Sequence, residues 1–197
     1  MFSGAGQFNQ DLSSWKVGAV TDMSNMFSGA SSFAKTADMS GWDVSKVTNM
    51  RNMFNYAQYF NATGLGSWDV SKVTDMTWMF YGASNFNDDI SNWNVGQVQQ
   101  MQAMFNGASI FNADITGWKP KTACTDAEKN SGNCWIWEGM GNQNFQDMFS
   151  GASRWIDSYT NCGFDNSDKS VCPASTYRAS TPSVTRKGSP YSTGANC

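Results

Sequence analysis

Apolar residues along this chain return in a fixed order, with Ser, Thr, Asn, Asp and Gly between them. The clearest stretch, "VTDMSNMF" at 20–27, comes back as "VTNMRNMF" at 47–54, "VTDMTWMF" at 73–80 and "VQQMQAMF" at 98–105. Aligned on the Met-Phe pair, units begin at Met1, Met26, Met53, Met79, Met104 and Met148, so that successive starts lie 25, 27, 26, 25 and 44 residues apart. A fixed period in this range is the sequence mark of a protein built from stacked coils.

Two periodicities alternate inside a unit. Met23, Met26, Phe27 and Ala30 fall at steps of three, four and seven, one face of a short helix. Thr21 or Asp22 stands where an N-cap belongs, and Gly29 where a helix ends easily. Trp15 and Val17 lie on one side of an extended segment, with a polar residue between them. The pattern predicts an α/β repeat solenoid, each coil a short parallel strand plus a short helix. One unit buries too little apolar surface to offset the ordering of its backbone, so the units must stack. The predicted core ladder consists of Trp15, Trp42, Trp68, Trp93 and Trp118, of Met26, Met53, Met79 and Met104, and of Phe27, Phe54, Phe80 and Phe105. Methionine suits such a core because its unbranched side chain fills irregular gaps between coils.

The repeats span 1–155, with an insertion at about 119–138; 156–197 form a Cys-rich cap and a Ser/Thr/Pro-rich tail. "MFSGA" at 1–5 matches 26–30 and 148–152, so Met1 reads as an internal repeat position and the chain as a processed or truncated piece of something longer. The tail fits a flexible or O-glycosylated linker, an arm along a neighbouring molecule, or plain disorder.

A net charge of -3 argues against nucleic-acid binding, which needs a basic face. No apolar run approaches the roughly 18 residues of a membrane span. The cysteines all come late. Cys124 with Cys134, and Cys162 with Cys172, each ten residues apart, fit two local disulfides and an oxidising compartment. A zinc site is the competing reading, set against the absence of any CxxC and of histidine. Cys197 is left over for an intermolecular bond, a lost partner or a different pairing.

The stretches "DLSSWKVGAVTDMSNMFSGASSF" (11–33), "GWDVSKVTNMRNMF" (41–54), "SWDVSKVTDMTWMF" (67–80) and "FNDDISNWNVGQVQQMQAMF" (86–105) carry a family likeness. In them the chain resembles the BspA-type leucine-rich-repeat surface proteins over roughly 1–118, and again at 145–155. The resemblance implies leucine-rich-repeat-like coils in a secreted or surface-attached protein linked to adhesion, and it brings no catalytic residues.

Among candidate sites, Asp11, Asp38, Asp89 and Asp114 recur at one position and offer oxygen ligands to calcium, or serve as turn residues bonded to their own backbone. Gly64 interrupts that column. Asn9, Asn61, Asn87 and Asn112 suggest a structural ladder, and Asn61 opens the glycosylation sequon "NAT". Thr21, Thr48 and Thr74 form a short hydroxyl row, broken at Gln99, which raises an ice-binding reading beside a helix-capping one. Asp88 and Asp89 are adjacent and in a strand would point apart. With no histidine and no nucleophile beside a base, the chain reads as non-enzymatic, without a cofactor. The expected role is structural or adhesive in a secreted or cell-surface protein, with partners among neighbouring protomers, matrix or host proteins, or glycans; the rival reading is an extracellular surface protein that binds a glycan or host protein as its ligand. Phe2, Phe8, Leu12 and Trp15 need a cover at the first unit. Head-to-tail stacking into filaments, locked through Cys197, is one way to supply it.

Overall fold

The computed structural model describes residues 1–34, 37–121, 147–162 and 183–186. The Met-Phe stretches stack as six rungs, and what joins them is the backbone. The Phe2 amide donates to the Met26 carbonyl, and the next amide along that peptide link, on Phe27, donates to Met53. The chain of bonds continues from Phe54 to Met79, Phe80 to Met104 and Phe105 to Met148, each 2.9 Å long. A second spine runs from Gly4 through Gly29, Tyr56, Gly82 and Gly107 to the Ser150 carbonyl. A third links Met23, Met50 and Met76 to Gln100, and a fourth links Asn25, Asn52 and Trp78 to Gln102. In all four the N–H points to the following rung.

Residues between the exported amides close four-residue turns, as in Met26 to Met23, Ser28 to Asn25 and Ala30 to Phe27. Such a sequence of turns needs left-handed backbone at intervals. Asn25 has φ 56 and Gly29 has φ 71, and the same columns continue through Asn52, Trp78 and Ala103, and through Tyr56, Gly82 and Gly107. A turn with positive φ at its third residue favours Gly or Asn there, because other side chains crowd their own carbonyl.

This geometry overturns the strand-plus-helix coil predicted from the sequence. Among the described residues, helix is confined to a 3-10 turn, Leu65–Ser67, and to α1, Ser153–Ser158. Parallel pairing shrinks to isolated bridges that link Asp22, Asn49, Asp75 and Gln100, with a further one between Asp38 and Thr63. The described residues are mostly turns and coil, so the stack is neither an α/β repeat solenoid nor a leucine-rich-repeat-like one. Met23, Met26, Phe27 and Ala30 do face one way, but the left-handed Asn25 breaks any helix there, and the amides of Met23, Asn25, Phe27 and Gly29 leave for the next rung instead of bonding within their own. With no helix to cap, the Asp22 carboxylate accepts the amide of Ser24 at 2.7 Å, which closes a local turn.

Inside the stack, one phenylalanine column runs Phe2, Phe27, Phe54, Phe80, Phe105 and Phe149, with ring centres 5.5 to 5.8 Å apart. A second column, Phe8, Phe33, Phe60, Phe86 and Phe111, lies beside it, and within a rung the paired rings stack at about 4 Å. Trp42, Trp68, Trp93 and Trp118 make a third column, all buried. Each indole N–H donates to a carbonyl of the preceding coil: Leu12, Met39, Leu65 and Ile90 in turn. Trp15 and Met26 are only half-buried, while Met53, Met79 and Met104 are fully enclosed.

The last rung passes into α1, which buries Trp155 in the second phenylalanine column. Beyond it, β1 (Tyr159–Cys162) pairs antiparallel with β2 (Ser183–Arg186). The expected Cys-rich cap otherwise lies outside the described residues, as do Cys124, Cys134, Cys172 and Cys197.

Candidate functional site

The recurrent aspartates are occupied by the backbone. Asp11, Asp38, Asp89 and Asp114 each accept the amide two residues on, from Ser13, Ser40, Ser91 and Thr116, at 2.8 to 3.0 Å. Those bonds, the backbone ones foremost, hold the carboxyls of Asp11, Asp38 and Asp89 below the usual value. The gap in the column has a steric cause. At Gly64, with φ 88, a Cβ would come within 2.6 Å of the Ser40 nitrogen. Asp88 serves a different turn from Asp89 and accepts the Leu65 amide at 2.8 Å. Among the described residues no three carboxylates or thiols gather around a point that would hold a metal ion.

Other ladder positions also work between coils. The Asn9 side chain accepts the Ala34 amide at 3.1 Å, and that of Asn87 accepts the Asn112 amide at 2.7 Å. Asn61 is exposed, and its own amide donates to the Ala34 carbonyl. The hydroxyls of Thr48 and Thr74 donate to the carbonyls of Thr21 and Thr48, at 3.2 and 3.1 Å. The threonine row is therefore part of the intercoil bonding.

Rungs three and four depart from this pattern on their outer surface. The column of Gly4, Gly29, Gly82, Gly107 and Gly151 holds Tyr56 in rung three, at φ 53. In the column of Asn25, Asn52 and Ala103, rung four holds Trp78, at φ 56. Where the other rungs have Ser or Asn, rung four also has Tyr81. Arg51 lies with its guanidinium carbon 4.8 Å from the centre of the Trp78 ring, and its Nη1 is 3.7 Å from Asp75 Oδ2. Tyr81 meets Tyr56 edge to face at 5.2 Å. A hydrogen bond with Tyr81 raises the Tyr56 phenol above its ordinary pKa. Trp78 and Tyr81 occupy the places that Asn52 and Asn55 hold one rung earlier, so the pairs Arg51 with Trp78 and Tyr56 with Tyr81 lie on neighbouring positions of the same two rungs, a strip of aromatic side chains.

Bulky side chains in left-handed backbone are outliers, and outliers of this kind gather at functional sites. Sequence reasoning missed the strip because it followed what the units share. The signal was the exception: "MFNYA" against "MFSGA", and "MTWMF" against "MSNMF".

The family described as "Mycoplasma protein of unknown function, DUF285" matches residues 1–62 and 34–136, which together cover the stacked rungs up to the insertion. The chain belongs to that family. Neither the curated proteins nor the solved structures contain a match to it. No helix among the described residues of this DUF285 chain is long and apolar enough to cross a membrane.

Proposed function

We propose that the chain is a non-enzymatic structural and adhesive module of a secreted or cell-surface protein. The observation that carries this reading is the set of four hydrogen-bonded spines through the rungs. Two of them run through all six rungs and two join the middle four, and they leave an outer face of short polar side chains, which suits a rigid spacer that presents a surface. The likeness of its repeats to BspA-type surface proteins supports the same role, as do late cysteines suited to disulfides outside the cell. Ligand recognition by the strip on rungs three and four is the more specific form of the reading, with glycans, matrix or host proteins, or further copies of the chain as partners.

Beads coated with the full chain, pulled from surfaces that carry an extracellular-matrix protein, an oligosaccharide or a layer of the same chain, test the proposal. Retention on at least one surface, with that surface chemically unaltered, is the expected result. Release from all three, or conversion of the surface ligand into a product, overturns it.

A further inference from the structure

We infer that the strip centred on Tyr56 is a platform for a neutral oligosaccharide, an inference that rests on the adhesive reading above. Tyr56 is 52 % exposed and its ring lies across Gly82, where a Cβ would meet ring carbon Cδ1 at 2.8 Å. The ring packs on that glycine through Cδ1 and Cε1, Tyr81 meets it at 68°, and about half of Tyr56 stays exposed. A flat, fixed and exposed ring is what the C–H side of a pyranose stacks on. Because its position is set by Gly82 and Tyr81, little side-chain freedom is lost on binding.

The hydroxyls of a sugar need planar groups that donate and accept together, and the amides of Asn52 and Asn55 stand in the same rung beside Tyr56. Arg51 extends the strip, yet its charge is answered by Asp75, so the surface has no net attraction for an anion. Size argues in the same direction. A stable protein interface needs about 800 Å² per partner. A strip a few side chains wide is far smaller than that, while it matches a run of two or three sugar rings. Neighbouring rungs also repeat at a spacing similar to successive sugars of an extended β-linked chain.

The test is calorimetric titration of the full chain with three soluble probes: a β-1,4-linked glucose hexamer, a β-1,4-linked N-acetylglucosamine hexamer and an α-1,4-linked glucose hexamer. A proline-rich peptide serves as the competing aromatic-binding probe. Binding of at least one hexamer is expected. Tyr56→Gly and Trp78→Asn should each weaken it at least tenfold, while Tyr56→Phe keeps most of it. Gly and Asn are the residues other rungs carry at these positions, so both variants fold, and thermal melts no lower than those of the unsubstituted chain verify it. Failure of all three hexamers, preference for the peptide, or equal binding by Tyr56→Gly would each overturn the platform. Beads still held by a protein surface would then leave the adhesive reading standing. Hexamer binding in solution without any bead retention would do the reverse.

Discussion

The interior and the outer strip of this molecule obey opposite rules. Inside, Phe27, Phe54, Phe80 and Phe105 are the same residue in the same place, because each ring is the floor for the next. Outside, Tyr56 and Trp78 stand where neighbouring rungs have Gly and Asn, and they take the left-handed backbone that those smaller residues suit. Identity is what stacking requires, so a repeated residue reports on stability. A departure that strains its own backbone reports on something other than stability. The glycine column is the control for the tyrosine within it.

The comparison can be broken from the inside first. Phe54→Ala removes a ring that stacks on Phe27, Phe60 and Phe80 and should destabilise the chain by about 3–5 kcal/mol, measured by denaturant melts. A loss below about 1 kcal/mol would mean the column tolerates gaps and identity is not required. Next comes Trp68→Phe, which keeps an aromatic in the column but leaves the buried Met39 carbonyl without its 2.9 Å indole partner. A loss of about 1–3 kcal/mol is expected in the same melts.

On the outer strip the sign should reverse. Tyr56→Gly relieves left-handed strain worth about 1–2 kcal/mol and gives up an aromatic contact worth about 0.5–1.5 kcal/mol. Stability should therefore hold or rise by up to about 1 kcal/mol. A loss as large as that of Trp68→Phe would make Tyr56 a structural residue and collapse the contrast. Between the two regions lies Thr48, whose hydroxyl bonds the Thr21 carbonyl; Thr48→Ala should cost about 0.5–1.5 kcal/mol.

The smallest effect is the pH dependence of the turn aspartates. Asp11, Asp38, Asp43, Asp69 and Asp89 all have folded pKa values lowered from 3.8, held down by hydrogen bonds from the serines two residues on. A depressed carboxyl contributes stability that is present above the unfolded pKa and is lost as pH falls through the folded one. Melts should thus be flat from neutral pH to about 5 and decline below about 4, with each exposed aspartate adding little. A decline that begins above pH 5 would point to other groups.

The period and the buried columns were legible in the sequence, because Met, Phe and Trp are both apolar and scarce enough for their spacing to stand out. The conformation of a coil was not. Steps of three, four and seven at Met23, Met26, Phe27 and Ala30 arise from a helix or from successive four-residue turns alike. The difference lies in whether Asn25 goes left-handed, which a hydrophobic pattern does not record. Gly29 was legible as a stopping point but belongs to a column of left-handed positions. Asp38 and Asp89 could be read as turn residues or as ligands, and the amides of Ser40 and Ser91 occupy them. The strip at Tyr56 and Trp78 was the least accessible, since an alignment of repeats treats its substitutions as noise.

The four spines have an electrical consequence. Along this face the amides of the four spines point to the later rung and the adjoining row of Thr48, Thr74 and Gln99 points back, so the peptide dipoles of successive rungs add in four rows and are opposed in one. On balance the stack carries on one flank a polarity of the kind a helix has, positive toward the later rungs, although helix among the described residues is confined to Leu65–Ser67 and Ser153–Ser158. Peptides bonded in series also polarise one another, so each bond gains from the length of the row it belongs to. Pulling a middle rung out of place interrupts all four rows at once, so force along the axis meets a cooperative fracture and not a gradual unravelling.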